Sequence, residues 1–250
     1  MNEIWIKHYS VCPWSDPTMW SSYLARSQEV LGEPLSRLDQ NDPARRKATS
    51  FDEDARFICD FGPGEQWRWI FGRVGKPGIR LLIRHCRDFR DFGGSHNEVG
   101  WSVPTKTCET PEGLAMIGSL FALGNEMLNP YYSYSERMGV MARMTEQRGN
   151  KGAVSSEQEL LGVFWLTFFS NRYIEYFGRE RVDELPMAVH HSPGGVTLKA
   201  AESPFDDTER ERETTMSVLG RKSFVDVTSE EYKPKGKYAL TFEQLSTDCR

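Results

Sequence analysis

The sequence predicts an α+β fold, made mainly of antiparallel sheet with packed helices. Three features lead to that class. Residues 3 to 9 (EIWIKHY) alternate as a strand does; QWRWIFGRV (66 to 74) and GIRLLIRH (78 to 85) flank a tight turn; and Thr110, Pro111 and Glu112 open an apolar helical pattern. A hairpin continued by a further strand is a meander, against which separate helices can lie.

In chain order, the first strand sets Ile4, Ile6 and His8 against Trp5, Lys7 and Tyr9. Asp16 followed by Pro17 starts a helix, because Asp can cap free amides and Pro loses no hydrogen bond at the first turn. That helix should stop near Gly32 to Pro34. Residues 36 to 54 are polar and charged, a loop or a loosely attached helix. In the hairpin, Trp67, Trp69 and Phe71 are expected to share one face with Ile79, Leu81 and Ile83, and Arg68, Arg80 and Arg84 to share the other. EVGWSV (98 to 103) supplies a third strand. The helix from 111 to 128 carries a wide apolar stripe and ends at Asn129 and Pro130, after which PYYSYSER reads as a tyrosine-rich loop.

Residues 145 to 159 have the composition of a linker, dividing the chain into an N-terminal half (1–145) and a C-terminal half (146–250) within one compact unit. The second half offers a strand at 162 to 169, a short helix at 171 to 177, a strand at 195 to 200, a charged helix near 207 to 219 and a final strand at 238 to 242. Both halves open with strand, turn and helix, a hint of a duplicated α+β unit. The strand at 162 to 169 is apolar on both pleat faces, which marks a central strand. The apolar run from Leu160 to Phe169 is ten residues long, whereas a membrane span needs about 20, so no membrane partner is expected.

The 250 residues carry a formal charge of -5, which argues against a general nucleic-acid binder and so against direct nucleic-acid contact. The N-terminus lacks a basic flank and an apolar core of signal-peptide length, so the expected location is cytoplasmic. The five cysteines (Cys12, Cys59, Cys86, Cys108, Cys249) are odd in number and widely spaced, suggesting free thiols in a reducing compartment.

Catalytic chemistry finds little support. Cys12, in VCPWSDP, lies between a strand and a helix as a reactive thiolate would, but it has no resolving cysteine nearby and the acid beside it would raise its pKa. A partly buried structural cysteine is the preferred reading. Asp226, Glu231 and Lys233 form a crude D…ExK series of the type used by metal-dependent nucleases, on spacing that fits a solvated turn better. His190 and His191 lack a further ligand at zinc spacing and read as a turn. A thiol- or metal-dependent enzyme using Cys12 or Asp226, Glu231 and Lys233 remains the alternative, while the main reading assigns no catalytic residue, no metal and no cofactor.

Charge is distributed unevenly. Between 66 and 90 seven bases face one acid, and between 202 and 213 six acids (Glu202, Asp206, Asp207, Glu209, Glu211, Glu213) accompany two arginines. Each patch is an ordinary solvated face or a docking surface; for the acidic one, complementary fields would draw a basic partner.

LLGVFWLTFFSNRYIEYFGRERVDELP, then GGVTLKAAESPFDD, then SFVDV and YKPKGKYALTF, resemble the immunity protein 52 family of bacterial polymorphic toxin systems. Trp165, Tyr173, Tyr176, Gly178, Gly194, Gly195 and Pro204 carry the likeness. The resemblance implies a non-enzymatic α+β protein that binds and neutralises a cognate toxin, a nuclease delivered by a type VI secretion system. Contacts would come from the six acids, with Tyr131, Tyr132 and Tyr134 as aromatic anchors if their loop is exposed. The basic hairpin would meet an acidic rim of the toxin or, in a homodimer, the acidic patch of a second copy.

Overall fold

The computed structural model describes residues 2–75, 78–87, 96–148, 159–225, 239–247 and 249, with side chains of 144–148 left out. Its centre is a nine-stranded sheet: β1 (Glu3–Ser10), β2 (Leu35–Asp39), β3 (Trp67–Val74), β4 (Arg80–Cys86), β5 (Asn97–Pro104), β6 (Tyr132–Arg137), β7 (Leu166–Ser170), β8 (Ala188–Ser192) and β9 (Gly195–Lys199). They lie in the order β2-β3-β4-β5-β1-β6-β7-β9-β8, antiparallel throughout. Eight α-helices are described: α1 (Pro17–Leu31), α2 (Phe51–Cys59), α3 (Pro111–Met127), α4 (Met138–Arg148), α5 (Asn171–Phe177), α6 (Arg179–Asp183), α7 (Glu209–Gly220) and α8 (Phe242–Ser246).

Local signals set the principal helices. Asp16 accepts a hydrogen bond from Thr18 N at 2.8 Å to start α1, and Gly32 ends it in the left-handed conformation at φ 64°. Thr110 caps α3 through Gly113 N at 3.1 Å.

The two groups of helices cover opposite sides of the sheet. Ile4, Ile6, Leu81, Ile83, Val99 and Trp101 form a core with Trp20, Tyr23, Ile58, Ile117 and Phe121 of α1, α2 and α3. Tyr132, Tyr134, Phe169, Val196 and Leu198 form a second core with Tyr173, Phe177, Met216, Leu219, Phe242 and Leu245 of α5, α7 and α8. The register aligns Tyr132 with Tyr9 and Ser135 with Ile6, so the second core lies on the face away from Ile4 and Ile6. β7 is buried on both sides, with Phe168 in the first core and Phe169 in the second.

Several expectations need correction. The hairpin pairs as predicted, yet Trp67, Trp69 and Phe71 share a face with Arg80, Leu82 and Arg84, while Arg68 joins Ile70, Leu81 and Ile83 on the helix-covered side. Arg68 can be buried because its guanidinium donates to Phe57 O (3.1 Å) and Asp60 O, satisfying carbonyls at the end of α2. Residues 36 to 54 supply β2 and the start of α2. PYYSYSER holds β6. The strand predicted from 162 begins only at Leu166, since Thr167 Oγ1 accepts from Phe164 N at 2.8 Å and closes a turn there. His190 and His191 sit on the edge strand β8. The predicted strand at 238 to 242 gives way to α8, where Thr241 and Gln244 cap each other in a capping box. Of the predicted linker 145 to 159, residues 145–148 continue α4 and 149–158 lie outside the described residues, while β6 from the first half pairs with β7 from the second in one continuous sheet.

Cys12 is joined to Cys249 in a disulfide with Cα atoms 5.0 Å apart, leaving Cys59, Cys86 and Cys108 free. This overturns the expectation of five free thiols, and with it the cysteine argument for a reducing compartment and a thiol nucleophile at Cys12. The fold brings the end of β1 to the segment after α8 across 237 positions, which no spacing rule detects. Alkylation of the denatured, unreduced protein should therefore label three cysteines; labelling of all five would contradict the bond. Cys249→Ser should lower stability by up to about 5 kcal/mol in the chain-entropy treatment of such a long loop.

Two histidines are buried beside the first core. Burial lowers the His8 pKa to about 3 against a hydrogen bond to Asn125 Oδ1 that raises it, and burial lowers that of His85 to about 4. The unfolded chain binds protons at its ordinary histidine pKa near 6.5, so between there and about 4 it takes up more protons than the native state. The urea midpoint should stay flat above pH 7 and fall as pH drops from 6.5 towards 4. A midpoint unchanged over that window would contradict these assignments.

Candidate protein-binding site

The acidic segment forms the rim of a groove of about 290 Å³ walled by α7, the end of β6 and the start of α4. Its position depends on one buried carboxylate. Glu136, 2% exposed, accepts from Arg137 N (2.8 Å) and Trp165 N (3.2 Å) and pairs with Arg212 at 3.4 Å. Arg212 Nε also donates to Val163 O at 2.8 Å, so this guanidinium fastens α7 to both β6 and the turn before β7. Burial raises the Glu136 pKa, against the lowering by Arg212 and the two backbone donors.

Glu213 on the rim pairs with Arg221 (3.4 Å), and Glu202, outside the lining, pairs with Lys199. Asp206 accepts from Ser203 N at 3.0 Å and Asp207 from Glu209 N at 3.3 Å, which orders the loop entering α7. Asp206, Asp207, Glu209 and Glu211 make no ion pair among the described residues, and all but the half-buried Glu211 are exposed. These carboxylates, unpaired among the described residues although Arg137, Arg143, Arg212 and Arg221 also line the groove, offer negative charge that a basic surface could meet. Beside them Phe205 is 42% exposed, with the Arg137 guanidinium 5.7 Å from its ring centre.

The structure thus gathers four of the six predicted acids, Asp206, Asp207, Glu209 and Glu213, at one groove, leaves Glu202 and Glu211 outside its lining, and separates the predicted tyrosines from it. Tyr131, Tyr132 and Tyr134 are 3%, 2% and 2% exposed, packed into the second core, so the condition that their loop be exposed fails. Tyr132 OH donates to Gly162 O at 2.7 Å, a structural duty. Phe205 is the exposed aromatic that sequence reading missed; an aromatic inside SPFDD, between a turn and a run of acids, was the available signal. Asp226, Glu231 and Lys233 lie outside the described residues. Among the described residues no helix is long and apolar enough to cross a membrane.

No model of a known protein family matches the chain, and no curated protein does. Among solved structures it is similar to the Pseudomonas aeruginosa T6SS protein PA0821, with a TM-score of 0.61 at 14% identity, over 98% of this chain and 82% of that one. At that identity the likeness establishes a common fold.

Removing the Glu136 carboxylate should free α7 as well as destabilise the core. Glu136→Ala should cost about 3 kcal/mol, because Arg212 is left half-buried without its partner. Chemical denaturation measures this; a loss within the error of an exposed substitution would show that the pair does not anchor the groove.

Proposed function

We propose that this chain is an immunity protein that acts by binding a cognate toxin instead of by catalysis, and that its toxin is a nuclease delivered by a type VI secretion system. The observation that carries the reading is the fold shared over 98% of the chain with a T6SS protein, in a sequence whose second half resembles the immunity protein 52 family. The groove on α7 supports it chemically. A nuclease must hold a polyanion and so offers a basic surface, which Asp206, Asp207 and Glu209, unpaired among the described residues, and the exposed Phe205 beside them complement in charge and in contact.

The direct test is expression of the adjacent gene product in a bacterial host with and without this chain. Growth should stop when the neighbour is expressed alone and resume when both are present. A neighbour harmless by itself, or lethal in both cases, would refute the proposal. Phe205→Ala and the pair Asp206→Lys with Glu209→Lys should each weaken binding by about tenfold or more, as loss of an interface anchor does.

A further inference from the structure

The face of β3, β4 and β5 that points away from α1, α2 and α3 is aromatic and cationic. Trp67, Trp69 and Phe71 of β3, Leu82 of β4 and Trp5 of β1 lie on it, and Trp67 is 43% exposed while the others are half-buried. This reverses the usual order within β3, since an arginine is inside and two tryptophans are outside. Exposing that much contiguous aromatic surface is unfavourable in water and marks surfaces that meet a partner. Trp and Arg are also the residues that most often carry interface energy.

At the middle of this face, beside Gly100, lies a trough of about 190 Å³ between Trp5, Phe71 and Leu82, with Lys7 on its floor and Arg73 on its rim. A Cβ at Gly100 would lie 2.9 Å from Lys7 Cδ, so the missing side chain lets the lysine lie flat along the floor. The volume is below the roughly 300 to 1,000 Å³ of small-molecule sites and suits one inserted side chain. Its charges define what should surround that side chain. Lys7 is paired with Glu98, and Arg80 with Glu3 at 2.6 Å. Arg84 lies 5.8 Å from the Trp69 ring. Arg73 is exposed and makes no ion pair among the described residues. An open guanidinium can take a carboxylate through two parallel hydrogen bonds. A nucleic-acid strand fits less well, because Glu3, Glu98 and Asp42 stand among the cations and would face its phosphates.

We propose that this tryptophan face is a second toxin-binding surface, whose partner presents carboxylates around one apolar side chain that enters the trough at Gly100. The inference rests on the immunity reading. Its position agrees, since Trp5 stands opposite Glu136 in the β1–β6 register, placing this face and the wall of the acidic groove on the same side of the sheet, one strand apart. One partner could then contact a cationic aromatic surface and an anionic one together.

The test is calorimetric titration of the adjacent gene product, carried as an inactive variant, into the wild-type chain and into Trp67→Ala, Arg73→Glu, Arg73→Lys and Phe205→Ala. Near-ultraviolet circular dichroism and melting temperature check that the variants fold; Arg73, exposed and without an ion pair among the described residues, keeps the test open if Trp67→Ala does not. Expected are a loss of about tenfold for Trp67→Ala and about a hundredfold for Arg73→Glu, with Arg73→Lys between them and wild type. If wild type fails to bind, the immunity reading falls and takes this inference with it. If wild type binds and Phe205→Ala weakens it while Trp67→Ala and Arg73→Glu do not, this inference alone is overturned. Binding of a single-stranded oligonucleotide that Arg73→Glu abolishes, or a wild-type dimer that Trp67→Ala dissociates, would assign the face to those occupants and also overturn it.

Discussion

Pairing of β1 with β6 is the constraint on which the rest of this molecule depends. It joins a five-stranded block (β2-β3-β4-β5-β1) to a four-stranded one (β6-β7-β9-β8), and near the junction the helical cover changes sides. On one face β1 offers Ile4 and Ile6 to the first core; on the other, Tyr9 stands beside Tyr132 at the edge of the second. A single-layer sheet covered on alternate faces buries both groups of helices, yet leaves the aromatic side of β3, β4 and β5 without a helix among the described residues. The proposed binding surfaces follow from that geometry.

Two fastenings hold the helices of the second block in place. Glu136 and Arg212 join α7 to β6 inside the sheet, where a charge is tolerated because Arg212 and two backbone amides surround the carboxylate. At the other end of the strands, Cys12 to Cys249 ties the exit of β1 to the segment behind α8. Such a bond persists in oxidising surroundings and is rare in reducing ones, so the compartment in which the chain folds bears directly on how firmly α8 is held.

Much of the fold was legible where the signal was local. Asp16 with Pro17, Gly32, and Thr110 with Pro111 mark helix ends through backbone groups within a few residues, and the structure uses each as read. The α5 helix lies over the predicted residues 171 to 177, though no side chain caps its start. What sequence could not resolve was decided by distant partners. Alternation in QWRWIFGRV states that Trp67 and Arg68 point opposite ways but not which way is inward, and the carbonyls of Phe57 and Asp60 settle it. YALTF has strand composition, but Thr241 and Gln244 satisfy the free amides of a helix start. At the candidate site the acids were legible as a run of charge. The proposed anchor was not, because exposure separates Phe205 from Tyr131, Tyr132 and Tyr134, and exposure is a tertiary property.

Hydrogen–deuterium exchange of the chain alone and with the adjacent gene product tests the central claim most directly, because it reports the contact surface without a substitution. The account predicts slowed exchange on binding in β3 and in the loop and first turns of α7, with α1 and the β8 edge unchanged. Protection confined to α1, α2 or β8, or none anywhere, would contradict it.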